Sequence, residues 1–332
     1  MFAVILLKKK IKTFFLTICF FFLTLLLLTF PKESLSYSFI GLQLWFNKMI
    51  PTLLPFMILS GIMIRLNLTE NFVRILNPLL CPILSIGSNG IYAVVIGFLC
   101  GFPMGAKVIA DLLSHNKLST KEAQFLLSFC NNIGPIYFIS FVLPILGLQK
   151  KAPYIFGMYG LPLLYGAFLR RTVYKNTLKA DTVAKPSRSA LILSAVEVSQ
   201  ATSLLDALDD SIMSSLYGIS KLGGYMVLFN LLNLIPQFTI YQKNIFGINI
   251  HALLNCLLEI TSGISRMGKS SPLIILLILP FGGFSCIAQT YSMIKDTGLS
   301  LKNYIFHKLV LTGLTSFYYG LWCLFSPSSF LL

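Results

Sequence analysis

A succession of apolar runs, each long enough to cross a lipid bilayer, restricts the fold of this chain more than any other feature. The first, Thr13 to Phe30, holds no charged residue. Further runs lie near residues 39–66, 90–113, 122–147, 153–170, 212–236, 272–295 and 303–326. A helix of roughly 20 apolar residues spans the hydrocarbon core. Within lipid the backbone must satisfy its own hydrogen bonds, which a helix does internally. The expected fold is therefore all-α: a polytopic integral membrane protein with about eight membrane segments. Composition agrees, since 56% of residues are hydrophobic and 11% charged, against about 25% charged in a soluble domain. Two shorter stretches, near 72–86 and 248–265, are amphipathic or interrupted and read as interfacial or re-entrant helices.

The net charge of +15 does not point to nucleic acid. Lys and Arg sit in short loops between apolar runs, where they orient the chain and meet anionic headgroups. Lys8, Lys9, Lys10 and Lys12 precede the first run. That run is long and no small-x-small cleavage site follows it, so residues 1–38 are expected to form an uncleaved anchor with a cytoplasmic N-terminus. Residues 171–203 form the one long polar segment, a cytoplasmic linker around Lys175, Lys179, Lys185 and Arg188. It separates residues 39–170 from residues 204–332. Both basic ends can be cytoplasmic only if one intervening stretch fails to cross. The best candidate is 90–113, interrupted by Gly101-Phe102-Pro103-Met104-Gly105.

The seven Cys are spread along the chain, nearly all in apolar runs, and read as small buried hydrophobes. The three His show no metal-ligand spacing. No nucleophile elbow, Walker loop or zinc spacing occurs. Neither an enzyme, a metal nor a cofactor is expected.

The two halves resemble each other weakly but in order. Gly101 to Lys107 aligns with Gly283 to Gln289, and Lys117 to Lys121 with Gly298 to Lys302. With opposite starting sides these would be inverted repeats with broken helices, the pattern of secondary transporters.

Helix breaks and intramembrane polar residues mark the candidate site. Gly101, Pro103 and Gly105 open one helix, Gly134 and Pro135 a second, and Gly282 and Gly283 a third, as hinges that free backbone groups at membrane depth. Lys107 follows the first break, with Asp111 one turn on as a structural ion-pair alternative. Asn131 and Asn132 supply donors and acceptors, for a ligand or for a neighbouring helix. Glu259 and Gln289 come from the second half. Lys107, Asn131, Asn132, Glu259 and Gln289 are thus the candidate solute-binding residues.

These same segments carry a family resemblance. Gly101 to Lys107, Leu118 to Ala123, Phe129 to Pro135, Leu258 to Gly263 and Phe281 to Gln289 resemble motifs of the nucleoside-recognition, or Gate, domain family of bacterial membrane proteins. The resemblance covers about residues 45–320 and is nearest the family's sporulation-associated branch. One departure stands out: where that pattern has Val-His-Ala-Gln, this chain has Cys286-Ile287-Ala288-Gln289. The resemblance implies two Gate-like repeats in the cell membrane and a role in spore formation. Two functions fit. One is a transporter or permease of a small polar solute, a nucleoside among the candidates. The other is a non-transporting scaffold or assembly factor of the spore envelope. The bilayer is the expected partner in both, and a homo-oligomer is compatible with either.

Overall fold

The computed structural model describes residues 2–148, 151–175, 203–239, 244–245, 248–267 and 271–325. Lys179, Lys185 and Arg188 of the linker lie outside the described residues. The described chain is helical, apart from turns and one two-residue antiparallel ladder pairing Asn244–Ile245 with Ile248–Asn249. That ladder is the single departure from the all-α expectation.

Helix α1 (Phe2–Thr29) ends at Phe30, and α2 (Pro31–Leu44) starts on the next residue. Proline at a first helical position costs no hydrogen bond. Helix α2 passes through a wide i→i+5 turn, Trp45–Met49, into α3 (Ile50–Arg65). Residues 31–38 therefore belong to the second span, not to an anchor of residues 1–38.

Two more wide turns occur, at Phe138–Val142 and Phe156–Gly160. All three end two residues before a proline: Pro51, Pro144 and Pro162. Proline has no N–H and its ring collides with the carbonyl four residues back. A locally widened turn accommodates it without ending the helix.

Short helices α4 (Thr69–Val73) and α5 (Asn77–Leu84) lead to α6 (Ser88–Cys100), which is bent 101° from α5. Helix α7 (Met104–Ser114) folds back against α6, so closely that a Cβ on Gly97 would lie 3.2 Å from the Gly105 Cα. At 13 and 11 residues, these helices are about 20 and 17 Å long, too short for a core of about 30 Å. The 90–113 stretch is thus a helical hairpin whose tip is Gly101-Phe102-Pro103.

Helix α8 (Thr120–Leu127) is capped by Ser119, whose Oγ accepts the Glu122 amide at 3.2 Å. It unwinds over 128–134 and resumes as α9 (Pro135–Tyr137), a wide turn and α10 (Leu143–Leu146). Helices α11 (Lys151–Ile155) and α12 (Leu161–Arg171) complete the first half.

The second half repeats this order. Helix α13 (Leu204–Leu232) opens on a capping box of Ser203 and Asp206, and α14 (Leu234–Thr239) follows. Then α15 (Ile250–Leu258) and α16 (Ile260–Met267) form a second hairpin with Glu259 at its tip. A Cβ on Gly263 would lie 2.5 Å from the Cys256 Cα, so the arms touch through that glycine. Helices α17 (Pro272–Ile278) and α18 (Gly283–Ile294) form a broken span, and α19 (Leu301–Phe325) closes the chain.

Cross-contacts define two ends. At the linker end Arg65 meets Asp210 at 3.8 Å, Lys117 Nζ donates to the Ile64 carbonyl, and Arg170 donates to the Ser85 carbonyl at 3.1 Å. Gln124 there accepts the Ser300 amide at 2.7 Å. At the opposite end Arg266 donates to Tyr37 Oη at 2.9 Å, and Tyr319 to the Tyr154 carbonyl at 2.7 Å. The feet of the first hairpin lie at the linker end and those of the second at the opposite end. The two hairpins enter from opposite ends.

Four described stretches are long and apolar enough to cross a membrane unaided: Pro31–Arg65, Lys151–Arg171, Leu204–Gln237 and Pro272–Ile294. The bent pair of α5 and α6 would make a fifth. The sequence led to about eight. The 90–113 run doubles back, 122–147 is unwound in its middle, and α19 carries Lys302, His307 and Lys308. The repeat also has a different register. Its matching parts are hairpin with hairpin and break with break, so Gly101 corresponds in place to Glu259, and Gly134 to Gly282–Gly283. The alignment of Gly101 with Gly283 pairs a hairpin tip with the break of a span. The cysteines are all free: Cys130, Cys256 and Cys286 are buried, but Cys19 and Cys81 are exposed.

Candidate functional site

Each hairpin tip rests on a break in the helix that follows it. A Cβ at Gly101 would collide with the Gly134 amide, so tip and break touch through two glycines. Gly101 has φ +82 and ψ −163, a region that side chains essentially forbid. In the second half a Cβ at Gly283 would lie 3.0 Å from the Leu257 carbonyl oxygen, again tip against break. The first tip also reaches the second break, since a Cβ at Gly282 would lie 2.9 Å from the Phe102 ring.

A cavity of about 290 Å³ lies where these parts converge. Phe102 of the first tip and Glu259 of the second line it, with Gly134, Tyr137, Cys286 and Gln289. Exposed Phe56, Leu99 and Ile136 form its apolar rim, together with Lys48. Ile287, where the family pattern has His, is not among the lining residues.

Glu259 is 1% exposed. Its Oε2 accepts the Thr261 hydroxyl at 2.5 Å and the Ser262 amide at 2.8 Å. A carboxylate at the start of α16 is favoured by the positive end of the helix dipole. No basic side chain is within ion-pair distance of it among the described residues. Gln289 donates to Ser285 Oγ at 2.9 Å. The Tyr137 hydroxyl is buried without a hydrogen-bond partner among the described residues.

Asn131 and Asn132 sit in the unwound segment behind the cavity wall. Asn131 Nδ2 donates to Thr290 Oγ1 at 2.8 Å and Tyr304 Oη at 3.1 Å. Asn132 Nδ2 donates to the Phe129 carbonyl at 2.6 Å. Lys107 is elsewhere. Its ammonium donates to both Asp111 carboxylate oxygens at 2.8 Å and to Ser214 Oγ at 3.1 Å, facing α13. Of the five candidates, Glu259 and Gln289 line the cavity, the two Asn buttress it, and Lys107 stands apart. Among the hinge positions, Gly101, Gly134, Gly282 and Gly283 lie at tip-to-break contacts. Pro103 belongs to the first tip, Pro135 restarts the helix as α9, and Gly105 packs against the Cys130 carbonyl.

The residue that sequence reading passed over is Lys308. It is 2% exposed and donates to the Asn131 carbonyl at 2.7 Å and to Asn132 Oδ1 at 3.0 Å. Its ammonium lies 4.4 Å from the Phe102 ring centroid. A lysine deep in an apolar run is the signal that marks such a residue.

The chain is similar to the sporulation integral membrane protein YlbJ of Bacillus subtilis (strain 168), with 26% identity over 329 residues. The match covers 91% of this chain and 80% of that protein. No family model matches, and no solved structure matches. With the helical architecture, this makes the chain a multi-pass integral membrane protein.

Proposed function

We propose that this protein is a permease-like transporter of a small polar solute, acting in the membrane of a spore-forming bacterium. One observation carries the reading: hairpin tips from opposite ends of the molecule line one cavity, with a buried carboxylate in its wall. Broken helices that meet near mid-membrane expose backbone groups to a solute, and rocking of one repeat against the other gives alternating access. Glu259 accepts hydrogen bonds from a solute hydroxyl or amino group. The aromatic and apolar walls cover its faces, as in small-molecule sites generally. A nucleoside has both features. The linker end, bearing Arg65, Lys117, Arg170 and Arg171, is the cytoplasmic one by its positive charge, with the N-terminus on the same side. The link to sporulation comes from the similarity to YlbJ.

The contrary reading, a spore-envelope scaffold, draws on the closed hydrogen bonding around Lys308. Cysteines at positions 102 and 259, in a background lacking the native ones, separate the two. A transporter admits small aqueous thiol reagents to both, whereas a packed scaffold excludes them. A thermal-shift screen against nucleosides, bases and amino compounds then finds the solute. A ligand at about a hundred times its Kd stabilises by roughly 2.7 kcal/mol.

A further inference from the structure

The unwound segment 128–134 has the form of a cation site. It follows the C-terminal end of α8, where the helix dipole is negative. In secondary transporters such unwound carbonyls coordinate the coupling Na⁺ or H⁺. Here the Asn131 carbonyl and Asn132 Oδ1 converge on one point, and the face of the Phe102 ring covers it. Asn131 Oδ1 is buried in the same segment without a hydrogen-bond partner among the described residues. Dipolar oxygens and an aromatic face are ligands for a positive charge. The group that occupies the point is the Lys308 Nζ. None of the three ion pairs of the described residues includes Lys308, so no carboxylate neutralises it at close range.

We propose that Lys308 is a built-in substitute for a coupling cation: a tethered ammonium in an alkali-ion cradle, pinning the first hairpin tip to the unwound helix. The word coupling rests on the transport reading, but the cradle does not. Lys308 is a positioning residue, since it reaches the cavity only through Phe102 and Asn131–Asn132. A chain that carries its own cation there needs none from solution to order its hairpin.

The test is thermal unfolding of the full-length protein in detergent, in choline, lithium, sodium or potassium chloride at equal ionic strength. Wild type is expected to melt at one temperature in all four. Lys308→Ala, which empties the cradle, is expected to melt several degrees lower in choline and to recover saturably with one alkali ion. Saturable alkali stabilisation of the wild type would overturn the proposal, as would a Lys308→Ala loss that no alkali ion restores. Should Lys308→Ala yield no folded protein, Asn132→Asp, which keeps the lysine and adds a carboxylate to the cradle, decides. It stays alkali-insensitive if the ammonium fills the point, and alkali stabilisation of it refutes the idea. None of these readouts involves a solute, so failure of the transport reading leaves them interpretable, and the reverse.

Discussion

The two hairpins solve one problem with different chemistry. Each must place a helix reversal inside the protein at membrane depth, where an unsatisfied backbone group costs several kcal/mol. The first does so with backbone and ring. Gly101 adopts a conformation reserved for glycine and presses on Gly134, and Phe102 stacks beneath Lys308. The second does so with a carboxylate, as Glu259 takes the Thr261 hydroxyl and the Ser262 amide into its own side chain. The first tip is a structural joint stiffened by a lysine from α19. The second brings a carboxylate to the cavity wall, with no basic partner at ion-pair distance among the described residues. A repeated architecture thus leaves each copy free to differ, one tip held by backbone and ring and the other built around a buried carboxylate.

The largest expected effect tests the joint. Gly101→Ala puts a Cβ into the Gly134 amide at a φ of +82. We expect a loss of about 4 kcal/mol or more, seen as failure to recover a monodisperse protein in detergent. Gly282→Ala is the control from the other half. Its φ of +78 is strained, but the nearest atoms belong to the Phe102 side chain, which can shift. A loss of about 1–2 kcal/mol is expected there. Equal effects at the two sites would erase the distinction between the tips.

Glu259→Gln keeps an acceptor for Thr261 and Ser262 and removes the charge. It is expected to leave the melting temperature nearly unchanged, while weakening solute binding by about tenfold or more. Binding that survives in Glu259→Gln would return the second tip to a structural role. The smallest effect is expected at Lys107→Ala. The Lys107–Asp111 pair is one turn of helix at half-buried positions, facing away from the cavity. Its removal should cost about 1 kcal/mol or less and spare solute binding. Loss of binding in this variant would move the site to α7.

How legible the site was depended on the type of signal. Gly101-Phe102-Pro103 and Gly134-Pro135 could be found as breaks because Gly and Pro act through the local backbone. Glu259 stood out as a charge in an apolar context. Lys107 stood out for the same reason, and of the two readings open for it the structure shows the ion pair with Asp111, one turn along the same helix. Lys308 was hidden in a run that was read only for its length. Its partners are Asn131 and Asn132, far away in the chain, and no local pattern links them.

What the amino-acid sequence determined alone was the solvent and the secondary structure. Apolar runs with few charges have no stable place but a bilayer, and helix is the conformation that satisfies their backbone there. The breaks were determined as well, because proline and glycine alter the backbone wherever they stand. Charge counting already singled out 90–113 as the stretch that does not cross; only the tertiary structure decided that hairpin pairs with hairpin between the halves, and that a lysine from α19 holds the break at Asn131–Asn132. Those outcomes depend on which helix packs beside which, through contacts between residues more than a hundred positions apart, and local composition carries no record of them.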